Sequence, residues 1–247
     1  MFRSALAAAF VSAALLAAPA SAHDGPLSPE RKAEIEAMVR DYILQHPEII
    51  LESVAIMQAR EDAEKNAAAK QALVDNRDAL ERDPADPVLG NPDGDVTIVE
   101  FFDYQCGYCK TMMAPLMELV QEDGNIRLIL KEFPILSPTS ETAALASLAA
   151  ARQGKYKDFH TALLSLRGRL TTEAIFQVAL ELKLDVDRLK TDMADPALQA
   201  QVRKSFGLAK ALSIQGTPAF TIGDHVVPGA ISKEQLADLV AQARGKS

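Results

Sequence analysis

The chain holds two cysteines, Cys106 and Cys109, and both fall in one stretch, VTIVEFFDYQCGYCK. An apolar, β-branched run ends there, and Cys-Gly-Tyr-Cys opens what reads as a helix. Two cysteines separated by two residues at a strand-to-helix junction have the layout of a dithiol redox centre. With no third cysteine there is no second internal bridge, so the pair cycles, binds a ligand or staples its own loop. A staple around so short a loop would constrain little of the unfolded chain. A zinc or copper(I) site would need two chains to meet, because one chain supplies only two thiolates.

Residues 1–22 read as an export signal. Arg3 gives a positive start, Ala5 to Ala18 is apolar, and Ala20-Ser21-Ala22 supplies the small residues a signal peptidase accepts. The mature chain is then expected to begin at His23 in an oxidising compartment, where disulfides persist. The formal net charge is −8, and residues 23–89 alone carry 8 basic against 15 acidic side chains. Neither that segment nor the remainder has the basic excess a nucleic-acid backbone demands, so no nucleic-acid partner is expected.

Residues 23–89 read as a helical arm and linker. Ser28-Pro29-Glu30 supplies a hydroxyl cap, proline at the first helical position and an acid in the first turn. Ile35, Met38, Val39, Tyr42 and Ile43 follow at spacings of three and four. Pro47 breaks this helix, and Ile50, Val54 and Met57 continue the seam before it thins into Ala-rich, charged sequence running helical towards Leu80. The stripe either packs back on the chain's own catalytic domain or is buried between copies. The long Ala-rich stalk favours self-association.

A boundary is expected between Arg82 and Gly90, with residues 90–247 forming the catalytic domain. Val96 to Tyr104 reads as a buried central strand, Cys106 to Gln121 as a helix in which Pro115 should cause a bend or displace one hydrogen bond, and Ile126 to Phe133 as a second strand parallel to the first. Residues of about 137–212 read as an inserted helical block with bodies at 143–151, 159–166, 173–182 and 197–212. A short strand at 219–222 and a hairpin partner at Val226-Val227 follow. Ser232 with Gln235 makes a capping box for the last helix. The fold class is α/β.

Cys106, at the helix start, is the expected nucleophile, because unpaired backbone N–H groups and the helix dipole stabilise a thiolate there. Cys109, one turn in, can attack the mixed disulfide from inside. Gly107 would admit substrate backbone and Tyr108 an aromatic contact. Glu100, the single charge within Val96 to Phe102, reads as a desolvated carboxyl able to exchange protons with Cys109. It could also face solvent or pair with Lys131. Gly216-Thr217-Pro218 could present peptide groups beside a ligand, and a cis Pro218 is the minority expectation from sequence alone.

The blocks VLGNPDGD at 88–95, FFDYQCGYCK at 101–110, KEFPIL at 131–136 and GTPAF at 216–220 make the chain resemble secreted thioredoxin-fold proteins of the DsbA superfamily. Within it, the chain is most like the suppressor-of-copper-sensitivity protein C type. The resemblance implies a thioredoxin fold with an inserted helical domain behind an extended helical arm. It implies Cys106 as attacking and Cys109 as resolving thiol, Glu100 in proton transfer, Thr217 in substrate contact and Pro218 as a cis proline. It also implies a homo-oligomer, most often a trimer, in the periplasm. Substrates would be cysteine-containing secreted or periplasmic proteins, the electron donor a membrane thiol–disulfide reductase, and neither cofactor nor structural metal is expected. Disulfide isomerase or reductase activity is favoured, with a DsbA-like dithiol oxidase and a copper(I)-binding or chaperone protein as alternatives.

Overall fold

The computed structural model describes residues 27–245. The export signal expected over residues 1–22 lies outside them. The chain divides into two compact units between Gln58 and Ala59.

In the first unit, α1 (Pro29–Gln45) starts where Ser28 accepts from the Arg31 N–H at 3.3 Å, with Pro29 in its first turn. It ends where the His46 N–H reaches Tyr42 O at 2.9 Å, because Pro47 has no N–H to extend the ladder. The chain re-enters helix as α2 (Glu48–Glu81). No residue of α1 is buried, and Met38, Val39, Tyr42, Ile50, Val54 and Met57 are all exposed.

The second unit is built on a five-stranded mixed sheet of order β1-β3-β2-β4-β5. The strands are β1 (Val88–Gly90), β2 (Val96–Phe102), β3 (Ile126–Glu132), β4 (Ala219–Ile222) and β5 (His225–Pro228). Only β2 and β3 run parallel, joined through α3 (Gly107–Asp123), as the strand–helix–strand order requires. Antiparallel β4 flanks β2 on its other side. The nearly unbroken apolar run of β2 follows from burial on both faces. Ile98 and Phe102 join one core cluster with α3 and the inserted helices, while Val99 and Phe101 join another.

The insertion comprises α4 (Pro138–Ala151), α5 (Tyr156–Ser165), α6 (Thr172–Glu181), α7 (Val186–Met193) and α8 (Pro196–Ala211), and α9 (Lys233–Arg244) closes the fold. The short, charged α7, capped by Asp185, falls outside the helices expected from periodicity, since a single buried side chain, Leu189, leaves almost no repeat. Helix α3 continues through Pro115, so the chain does not stop at the proline. The Ser232–Gln235 capping box forms as expected.

Two expectations fail on packing. The core of this unit begins well before Gly90: Leu73 and Leu80 of α2 are buried in the second cluster with Phe101, Phe133 and Leu212. In addition, residues 88–90 pair with β3 as an edge strand. Three residues give no alternation to read, and a Cβ on Gly90, at φ +72°, would stand 2.5 Å from Ile126 O. Lys131 does not approach Glu100. In the parallel register Lys131 lies opposite Phe101, and Glu100 opposite Leu130. Successive strand residues face opposite ways, so the two charges lie on opposite faces of the sheet. Lys131 pairs instead with Asp86, both deeply buried, and donates to Ala79 O at 2.8 Å.

Candidate active site

Cys106 is the N-cap of α3, with extended backbone at φ −67°, ψ 117°. Its Sγ therefore sits where the first turn of the helix offers unpaired N–H groups. The Cys109 N–H approaches Sγ at 3.4 Å. Across the sheet edge, the Thr217 carbonyl oxygen lies 3.1 Å from Sγ and accepts from the thiol when it is protonated. The Thr217-Pro218 peptide is cis, the outcome the resemblance implies and sequence alone held unlikely. That turn is anchored by the Gly229 N–H to Pro218 O at 2.8 Å, which ties the start of β4 to the end of β5. Both cysteines are free thiols.

The two thiols differ in acidity. A hydrogen bond from the Cys109 thiol, opposed by burial and helped by the Thr217 side chain and the first-turn N–H groups, brings Cys106 down to about 5. That same hydrogen bond, with burial, pushes Cys109 far above the ordinary thiol range. Cys106 is therefore a thiolate at neutral pH, and Cys109 holds its proton. Glu100 is 3% exposed. Burial, and secondarily the Cys106 thiolate, lift its carboxyl to about 8. The three groups form one electrostatic unit, because Glu100 in turn raises Cys109.

Tyr108 is 70% exposed beside the thiols, and Gly107 is exposed, with open space where its Cβ would be. Gly107 is thus not demanded by the chain's own packing. Cys106, Cys109, Glu100, Gly107, Tyr108, Thr217 and Pro218 gather on three segments: the end of β2, the first turn of α3 and the turn before β4. Among the described residues, no group of three or more His, Cys, Asp or Glu side chains could hold a metal ion.

Reading the residues missed two features behind this site. Asp103 is buried and accepts from the Gln105 N–H at 2.7 Å and the Leu136 N–H at 2.9 Å, clamping the loop that delivers Cys106 to the loop after β3. Glu132 is buried with Tyr104 and Tyr156, whose hydroxyls donate to its Oε1 at 3.2 and 2.8 Å. His160 Nδ1 lies 3.1 Å from the Tyr104 hydroxyl. Burial raises the Glu132 carboxyl well above its ordinary range and brings His160 down to about 3, so the imidazole is neutral at pH 7. The sequence shows Asp103 and Tyr104 only as neighbours of Cys106, and nothing in spacing links them to residues 132, 156 and 160.

An acidic thiol at a helix N-terminus, a shielded partner one turn in and a buried carboxyl behind both suit exchange between sulfurs. Fold and site together define a thioredoxin-fold thiol–disulfide oxidoreductase. The chain belongs to the DSBA-like thioredoxin domain family, which residues 97–241 match, and residues 32–64 match the Copper resistance protein ScsC N-terminal domain.

Among solved structures, a thioredoxin-like oxidoreductase from Silicibacter pomeroyi DSS-3 is 46% identical with a TM-score of 0.69, covering 70% of this chain and 99% of its own. Proteus mirabilis ScsC in a transitional conformation is 28% identical with a TM-score of 0.67, covering 90% of this chain and all of its own (100%). A curated relative, the Na(+)/H(+) antiporter NhaA 1 of Salinispora arenicola (strain CNS-205), is 31% identical over 166 residues, 65% of this chain. The chain spans only 26% of that relative's length. No helix among the described residues is long and apolar enough to cross a membrane.

Proposed function

We propose that the chain is a periplasmic protein-disulfide isomerase, kept reduced by a membrane thiol–disulfide reductase and assembled, as a trimer, through its N-terminal helices. The observation that carries this reading is the apolar stripe of α1 and early α2. It is exposed on a segment that matches the ScsC N-terminal domain. A stripe of this kind gains most when copies bury it together, and several heads on one stalk present a misfolded client with more than one thiolate at high local concentration.

In isomerisation the Cys106 thiolate attacks a client disulfide, forming a mixed disulfide and releasing a client thiolate. That thiolate attacks another client disulfide, and the last thiolate formed attacks the mixed disulfide and restores Cys106. No net oxidation occurs. If the client stalls, Cys109 attacks Cys106, the client leaves reduced and the reductase restores the dithiol. Glu100 serves this escape step: once Cys106 is in a mixed disulfide, the thiolate that helped raise Glu100 has gone. The carboxyl pKa then falls from about 8, burial still holding it up, and a larger carboxylate fraction is present to take the Cys109 proton. Glu100→Gln should slow intramolecular release of a mixed disulfide by about 100-fold near pH 7. Stopped-flow release of a chromophoric thiol reads this directly, and an unchanged rate removes Glu100 from the mechanism.

Refolding of a scrambled multi-disulfide protein tests the reading. Wild type should rescue it. Met38→Asp with Tyr42→Asp, which puts charge into the seam, should be monomeric by light scattering, keep dithiol exchange and lose most rescue. A chain beginning at Ala59 should behave alike. A start near Pro87 is no fair test, because it removes Leu73 and Leu80 from the core. A wild type that is monomeric sinks the assembly claim.

One observation favours a second reading, a DsbA-like dithiol oxidase: lowering the Cys106 pKa to about 5 stabilises the reduced form and makes the disulfide more oxidising. Fast oxidation of reduced clients without rescue of scrambled ones would decide for it.

A further inference from the structure

Beside the dithiol lies a cavity of about 400 Å³, lined by Gln105, Lys110, Ser137, Thr139 and Arg169 among others. It adjoins the site on two sides, since Gln105 precedes Cys106 and Lys110 follows Cys109. Its charged lining is two cations and no carboxylate, in a chain of net charge −8. Lys110 Nζ donates to a carbonyl, Leu166 O, at 3.1 Å, and is not paired with an acid among the described residues. Arg169 is exposed, and no hydrogen bond or ion pair engages its guanidinium among the described residues. Its backbone is nonetheless held: Gly168 turns the loop at φ +91°, and the next residue, Leu170, is buried in the core.

Two further features favour negative charge here. Ser137, on the rim, is the N-cap of the 14-residue α4, whose positive end therefore opens at the cavity. The buried Asp103, beside Gln105 in the chain, is not among the lining residues, and each of its oxygens accepts a backbone N–H, from Gln105 and from Leu136.

We propose that this cavity is a recognition subsite for extended client segments carrying Asp or Glu close to the cysteine presented to Cys106. Arg169 holds the client carboxylate through its planar fork, and Lys110 adds a point charge. The two cations stand on different elements, Lys110 on α3 and Arg169 on the loop after α5, so the cavity also fixes the direction in which such a segment lies. The assignment rests on thiol exchange at Cys106 and names the clients that exchange selects.

The test uses the full reduced chain and three peptides with one central cysteine, flanked by Asp and Glu, by Asn and Gln, or by Lys. Each carries a chromophoric thiol in disulfide linkage. Attack by Cys106 forms one S–S bond and breaks another, and the chromophore leaves as thiolate. The acidic peptide should react about 3- to 5-fold faster than the neutral one, with the difference fading at 1 M salt. Arg169→Gln should lower that ratio towards one, while Arg203→Gln, an exposed cation elsewhere, should not.

Net charge alone would make the acidic peptide slowest, so equal rates or that order overturn the subsite and leave thiol exchange standing. If no peptide reacts, thiol exchange itself fails. Fluorescence anisotropy with cysteine-free versions then decides the subsite separately: tighter binding of the acidic peptide, weakened by Arg169→Gln, supports it, and equal binding overturns it. A preference for oxidised glutathione with none among the peptides overturns the assignment to polypeptide.

Discussion

Cys106→Ala should abolish thiol–disulfide exchange, whereas Cys109→Ala should still form mixed disulfides and fail to release them. The asymmetry follows from position: Cys106 caps α3 beside Thr217, and Cys109 is fully enclosed one turn further in. Alkylation of Cys106 in wild type should reach half its limiting rate near pH 5. In Cys109→Ala that midpoint should move up, because the Cys109 thiol is the largest single cause of the depression. A midpoint unchanged by removing Cys109 would assign the acidity to the backbone instead.

The same groups set how stability depends on pH in the reduced protein. The Cys106 pKa falls from 9.0 to about 5 on folding, so its contribution is present above pH 9, and is lost as pH falls through 5. Glu100 rises from 4.5 to about 8, so its contribution is present below 4.5 and lost as pH rises through 8. Between pH 5 and 8 the two oppose each other, and wild-type stability should be nearly flat from these groups. Glu100→Gln removes one side of the balance. Relative to wild type, its stability should then climb with pH by up to about 1.4 kcal/mol per unit, less as solvent screens the thiolate. Denaturant titrations of both proteins at pH 5, 6.5 and 8 read the difference in slope, in which the buried Glu132 and His160 cancel; equal slopes mean that Glu100 does not change its ionisation on folding in that range.

Lys131→Met should destabilise the second unit by about 3–5 kcal/mol, because it strands the Asp86 carboxylate inside the fold. The side chains of Lys131 and Asp86 are 1% and 4% exposed. Burial outweighs their mutual attraction: Asp86 is raised and Lys131 lowered, each pushed towards its neutral form. The intact pair therefore contributes little net stability, while half of it is costly. Lys131→Met combined with Asp86→Leu should recover most of the loss in a denaturant midpoint. A single substitution that moves stability by less than about 1 kcal/mol would mean water reaches the pair.

The helical arm was legible from local rules, because a cap, a proline and a period of three and four are written in neighbouring residues. So was the thiol pair, since a strand running into Cys-x-x-Cys puts both sulfurs on one first turn whatever surrounds it. Helix α7 and strand β1 were not legible; one buried side chain and three residues carry too little periodicity to register. Glu100 was readable as a charge in an apolar strand behind Cys109, but Asp86 as the partner of Lys131 was not.

What the sequence determined by itself was the central β2–α3–β3 unit, the position of the nucleophile at a helix N-terminus and the desolvated carboxyl behind it. Each depends on residues close in the chain. The tertiary structure alone decided that Lys131 turns to Asp86, that Leu73 and Leu80 complete the core, and that Thr217 faces Cys106. It also decided that Glu132 is enclosed by Tyr104, Tyr156 and His160. The physical reason is register. A strand has a two-residue period, so which face a charge enters is fixed by pairing with a strand far away in sequence, and contacts across such distances leave no mark on local pattern.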